Sequence, residues 1–187
     1  MTQTAWIVVA IVIIALIAIA AIGWSRRRRS DHLRDRFGRE YDRTVEAAGG
    51  RAKAEADLSE REKRVEKLNI RPLKAEERRQ FLDRWSEVQA RFVDDPPRAA
   101  AFADALLGDV MKARRYPVSD FEERAGDISV DHPVVVEHYH EAHGIAARHL
   151  KGEASTEDLR QAMIHYRALF DNLVGVEAPA KQTEVAH

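Results

Sequence analysis

Apolar and polar positions divide this chain into two parts with different rules. From Trp6 to Trp24 the run WIVVAIVIIALIAIAAIGW contains no charged residue. From Arg26 onward, apolar residues recur at spacings of three and four among charged ones. The first pattern predicts a membrane helix. Its 19 residues at about 1.5 Å each would span roughly 28 Å, close to the hydrocarbon thickness of about 30 Å. Ile and Val dominate it, and a lone segment in lipid must pair its backbone groups internally, which only a helix does. Trp6 and Trp24 bracket the run, where an indole has its ring in the apolar layer and its N–H in water. Arg26, Arg27, Arg28 and Arg29 follow at once, and no charged side chain precedes the run. The positive-inside bias therefore predicts a short outer N-terminus over 1–5, a transmembrane helix over 6–24 and a cytoplasmic remainder. A cleaved signal peptide would carry its charge before a shorter apolar core, so an uncleaved anchor is expected.

The second pattern predicts helices alone. Over 25–70, a basic juxtamembrane neck, Leu33, Phe37, Tyr41, Val45 and Ala48 form one stripe that Gly49-Gly50 breaks. Ala54, Leu58, Val65 and Leu68 resume at heptad spacing, with Arg61 at a position that should be apolar. Either one helix kinked at the glycines or a helical hairpin satisfies this pattern. A two-heptad coiled coil is a sharper variant of the same reading.

Over 71–174 the chain reads as a helical bundle. Pro72 marks a break. A helix from about Ala75 to Phe92 presents Phe81, Leu82, Trp85, Val88 and Phe92. Asp94-Asp95-Pro96-Pro97 opens the next, an acidic cap before proline in the first turn. It carries Phe102, Leu106, Leu107, Val110 and Met111 to about Arg115. Ser119 with Glu122 fits a capping box for a short helix to about Ile128. Pro133 opens a helix with Val135, Val136, Tyr139, Ile145 and Leu150 inward, and Gly144 is placed to permit close helix approach. Ser155 with Asp158 caps a last helix bearing Leu159, Met163, Tyr166, Phe170 and Leu173. The segment 175–187 is small and polar and reads as a disordered tail. The expected fold class is all-α: an N-terminal transmembrane helix, a basic helical neck, then a cytoplasmic bundle.

Charge changes this picture in one respect. The chain's 30 basic and 31 acidic residues nearly cancel, but residues 25–92 hold 20 basic and 14 acidic, a net of +6, against 10 and 17, a net of −7, over 93–187. The basic half beside an anionic leaflet is attracted, most strongly through Arg26 to Arg29, and the acidic half is repelled. Membrane lipid is thus an expected partner. Nucleic acid is not, because the basic half is mixed in sign and its aromatics lie on the apolar stripe.

Candidate chemistry is sparse. With no cysteine, disulfides and Cys-ligated metals are excluded. No G-x-S-x-G is present, and Gly49-Gly50 lacks the Lys and Ser/Thr of a phosphate loop. The adjacent Asp94 and Asp95 precede two prolines and read as a helix cap. One cluster merits weighing, Glu137-His138-Tyr139-His140-Glu141-Ala142-His143. Glu137 and His140 form an E-x-x-H pair on one helix face, the spacing of di-iron bundles, and His140 and His143 could share a metal. The only second E-x-x-H, Glu184 to His187, falls in the tail, and H-E-x-x-H is one residue short. No cofactor and no catalytic residue is expected.

Three short motifs, Phe92-Val93-Asp94-Asp95-Pro96, Ser129-Val130-Asp131-His132-Pro133 and Thr156-Glu157-Asp158-Leu159-Arg160, resemble those of a group of small bacterial single-pass membrane proteins without known activity. The resemblance covers most of the part after the anchor and implies a bacterial setting, but no site residue. The leading expectation is a non-enzymatic scaffold or interaction module at the inner face of the bacterial cytoplasmic membrane, with an unidentified protein partner. Two alternatives stand beside it: a metal-binding protein using Glu137, His140 and His143, and a self-associating envelope protein packing through the small-residue strip Ala15, Ala18 and Ala21.

Overall fold

A computed structural model describes the backbone of residues 3–117 and 120–175, and their side chains except those of 3–12, 15 and 22. The order is α1 Gln3–Phe37, α2 Arg39–Ala48, α3 Arg51–Glu66, α4 Ala75–Arg91, α5 Pro96–Ala113, α6 Phe121–Asp131, α7 Pro133–Leu150 and α8 Thr156–Val174. The fold is all-α, with no strand among the described residues. Among those residues no helix is long and apolar enough to cross a membrane. The expected span lies within α1, but part of it, including the side chains of Trp6 and Ala15, is outside the description, as are Ser119, Glu184, His187 and residues 176–187 of the expected tail.

The chain forms two compact units, 1–59 and 60–187. In the first, Leu33, Phe37, Tyr41, Ala54 and Leu58 are buried. The stripe read as one helix is in fact two. Gly38, at φ 53° and ψ −127°, turns the chain in a conformation that a side chain disfavours. Arg34 Nη2 then lies 3.5 Å from Asp42 Oδ1, although eight helical residues would rise about 12 Å. Gly49, at φ 67°, caps α2 in the left-handed region and reverses the chain again. The neck is thus neither of the two forms expected, because Gly38 adds a break before the glycine pair.

The second unit holds a core of Phe81, Trp85, Leu107, Tyr139, Tyr166 and Phe170 among others. The packed neighbours are α7 with α8, α5 with α8, α4 with α5, and α6 with α7. Trp85 stacks on Phe170, centroids 4.7 Å apart. The helix starts follow local chemistry. Asp95 Oδ1 accepts from the Arg98 N–H at 3.1 Å, with Pro96 in the first turn. The Asp158 N–H donates to Ser155 Oγ at 3.1 Å and the Ser155 N–H donates to Asp158 Oδ2 at 2.7 Å. For α6 the observed cap is Asp120, whose Oδ1 accepts from the Glu123 N–H at 2.9 Å.

Three inward assignments need correction. Phe102 is exposed, and the guanidiniums of Arg91 and Arg98, 5.1 and 5.8 Å from its ring centre, cover it instead of a helix. Leu150 is 88% exposed because it ends α7, beyond the core. Gly144 permits no close approach, since an added Cβ would meet only Arg148 Nη1, at 4.0 Å.

Candidate functional site

Helix α7 carries the histidine cluster, and its helical register spreads the cluster over several faces. Tyr139 points into the core with no exposure. Phe121, the first residue of α6, covers the neighbouring face. Its ring stacks on His143 at 3.6 Å between centroids and 8° between planes. It meets His140 edge-on at 5.4 Å and 82°, and Tyr139 at 4.7 Å. The two imidazoles expected to share a metal therefore lie against an aromatic ring. Glu137, His140 and His143 form no ligand group, and among the described residues no three His, Cys, Asp or Glu side chains are grouped to hold a metal ion.

A different histidine of the cluster does find a partner. His138 Nδ1 lies 2.9 Å from His165 Nδ1 on α8, with ring centroids 5.2 Å apart. Both side chains are half-buried. Burial and the neighbouring His138 lower the pKa of His165, while Glu141, one turn beyond His138, opposes them. The sequence holds one usable hint of this pair. His165 precedes the inward Tyr166, and His138 precedes the inward Tyr139, so each sits at the edge of its buried stripe.

Between α5, α7 and α8 lies a hollow of about 350 Å³. Ala101, Ala147 and Leu159 contribute to its apolar wall, and Asp104, His143, His149 and Tyr166 are its polar groups. Asp104 Oδ1 and His149 Nδ1 are buried there without a hydrogen-bond partner. Asp104 Oδ2 lies 3.7 Å from Arg124 Nη2. The phenols of Tyr139 and Tyr166 are pushed well above their usual range, first by burial and then by the Asp104 carboxylate. Both stay neutral donors at any physiological pH. The hollow can seat a small apolar group, with Asp104 as its one formal negative charge.

At the α6–α7 junction, His132 ends one helix and starts the next. Arg114 Nη1 lies 3.3 Å from His132 Nε2. Guanidinium can only donate, so Nε2 accepts and the imidazole proton belongs on Nδ1. Arg114 also donates to the Leu173 carbonyl at 3.3 Å, near the end of α8. Burial first, and the Arg114 charge second, lower the pKa of His132. In the first unit a further cluster joins all three helices. Tyr41 OH and Arg51 Nε each donate to Glu55 Oε1 at 2.9 Å, and Ser30 Oγ donates to the same oxygen. Burial pushes the Glu55 carboxyl up, but these three donors outweigh it and hold the carboxyl below its usual range.

What the architecture defines is a class only: an all-α chain of two compact units. No family model, no curated protein and no solved structure matches it.

Proposed function

We propose that this chain is a single-pass membrane-anchored helical module that holds a protein partner at the inner face of a bacterial cytoplasmic membrane, without chemistry of its own. One observation carries the reading. Ile13, Ile14, Leu16, Ile17 and Ile19 on α1 are 50–66% exposed. At about 100° per residue they point to every side of the helix. Burying each would be worth about 1.5–3 kcal/mol, and a helix apolar all round belongs in a protein core or in lipid. Lipid is the solvent that fits the uninterrupted run 6–24, and α1 then continues without a break into Arg26–Arg29. Arg28 lies 3.9 Å over the Trp24 ring, a pairing suited to the headgroup level. The net +6 of residues 25–92 favours an anionic leaflet on that side.

The interaction-module reading is supported by what the polar clusters do. Ser30, Tyr41, Arg51 and Glu55 bind one another across α1, α2 and α3, and Arg114 ties helix junctions together. These are structural roles for the side chains that chemistry would otherwise recruit.

The test uses the absence of native cysteine. Thr2→Cys and Thr183→Cys are made separately and labelled from outside intact cells with an impermeant maleimide. Labelling of the Thr2 variant alone is expected, and labelling at Thr183 would reverse the orientation. Crosslinking in living cells and affinity capture of the full chain then reads the partner. One stoichiometric protein is expected. Recovery of the chain crosslinked only to itself would favour self-association, in which Ala18 and Ala21 lie exposed on α1.

A further inference from the structure

We propose that the face of α4 and α5 around Phe102 docks an acidic, amphipathic segment of a protein partner. The inference rests on the interaction-module reading above and adds the chemistry of the partner. Phe102, on α5, is a large apolar side chain that is 36% exposed. The guanidiniums of Arg91, the last residue of α4, and Arg98, the third of α5, lie 5.1 and 5.8 Å from its ring centre. Among the described residues neither guanidinium pairs with a carboxylate. Two nearby carboxylates are engaged elsewhere. Asp95 Oδ1 accepts from the Arg98 backbone N–H, and Asp109 pairs with Arg84. Two cations drawn to one ring, with no anion between them, repel each other, and both gain from a carboxylate placed there. Contact with an exposed ring holds a guanidinium only weakly. Each can therefore turn its planar fork to a carboxylate while its stem stays on Phe102.

Beside Phe102, between α4 and α5, is a hollow of about 170 Å³ with Val88 and Leu106 in its wall. It has room for one apolar side chain. An anchor side chain seated among aromatic and arginine residues is the usual make-up of an interface hot spot. Glu87 lies on the same rim, one turn before Arg91. It repels a carboxylate there, so the segment must bring its acidic residues to the Arg91 and Arg98 side, which fixes its direction. An anionic leaflet carries the same sign of charge, but it repels the net −7 of residues 93–187. A protein segment meets no such opposition and supplies anchor and carboxylate at a fixed spacing.

The test uses the full chain in dodecyl maltoside micelles and two fluorescent peptides. One alternates glutamate with leucine and phenylalanine, and the other has lysine in place of every glutamate. Fluorescence anisotropy is expected to show saturable binding of the acidic peptide alone, weakened by added salt, a readout that needs no variant to fold. Arg91→Glu with Arg98→Glu should weaken it about tenfold or more, and Phe102→Ala should weaken it too. Lys112→Glu with Arg115→Glu, the same charge change at the other end of α5, should not. All these side chains are exposed, and unchanged melting temperatures check the folding of the variants. No binding, equal binding of both peptides, or binding that Arg91→Glu with Arg98→Glu leaves unchanged would overturn the proposal. No peptide binding, with phosphatidylglycerol binding that the same double variant loses, would assign the face to lipid headgroups instead. Repeating the capture from cells with this double variant separates the inference from the reading it rests on. Loss of the captured partner is expected. A partner held as before would overturn the docking face and leave the module standing. No partner on the unaltered chain would overturn the module, and the peptide titration then decides the face by itself.

Discussion

Arg64 Nη2 and Nε lie 2.7 and 2.9 Å from one oxygen of Asp127, whose side chain is 1% exposed. The pair ties the last turn of α3 to α6. Desolvating the carboxylate is costly, and the guanidinium offsets that cost only while it is present. Arg64→Ala leaves a buried charge without this partner and is expected to lower stability by about 3–5 kcal/mol. Arg64→Ala combined with Asp127→Ala should cost less than the two single losses added. Thermal or urea unfolding of the three variants measures this, and strict additivity would show that the pair is not coupled.

Gly38 makes a second prediction. At φ 53° and ψ −127°, a Cβ would strain the backbone by about 1–3 kcal/mol, even though an added Cβ there meets no atom within 4 Å. Gly38→Ala should therefore loosen the turn between α1 and α2. Spin labels at Arg34→Cys and Asp42→Cys, read by electron paramagnetic resonance, should show a broader and longer distance distribution in the Gly38→Ala background. An unchanged distribution would mean that the packing of Phe37 and Tyr41 alone sets the turn.

Trp85 separates ring packing from hydrogen bonding. Its ring stacks on Phe170 at 4.7 Å, and its Nε1 is buried without a hydrogen-bond partner. Trp85→Ala removes the stack and leaves a cavity, for an expected loss of about 3–5 kcal/mol. Trp85→Phe keeps an aromatic surface and deletes an unsatisfied donor, so its cost should be clearly smaller. Denaturant midpoints of the two variants decide it, and equal losses would refute the argument.

The pH dependence of stability follows from two histidines. Burial, then Arg114, lowers the pKa of His132, and burial, then His138, lowers that of His165. The fold therefore favours neutral imidazole, while the unfolded chain takes up its protons near pH 6.5. The unfolded state then binds more protons, so stability is complete above about 6.5 and falls as pH drops through the lowered folded values. Glu55, held below its usual range, adds a separate loss at more acid pH, below the carboxylate's unperturbed 4.5. Melting temperatures measured from pH 7.5 to 5 should decline, and His132→Gln with His165→Gln should flatten that decline. A melting temperature that rises on acidification would contradict the assignment.

The parts of this protein that were legible in the sequence are those governed by neighbours within four residues. Asp95 before Pro96, the Ser155–Asp158 box and the three- and four-residue recurrence of Phe81, Trp85, Val88, Tyr166 and Phe170 declare helices and their starts, because capping and one-sided burial are local properties. The all-α class followed from them. The limits of that reading show in the neck. Gly38 sits inside an unbroken apolar stripe, and nothing within four residues distinguishes a tolerated glycine from one that turns the chain.

The tertiary structure decided which side chains meet. Glu137, His140 and His143 share the spacing of a metal site, but the docking of α6 lays Phe121 against His140 and His143. His138 meets His165 instead, because each helix rotates to bury its own stripe, Tyr139 on α7 and Tyr166 on α8. Arg64 reaches Asp127 across 63 residues for the same kind of reason. The rotation and axial offset of a helix are set by the sum of its apolar contacts with every neighbour. No single stretch of sequence contains that sum, so the elements are written locally and their pairings are written only in the packed whole.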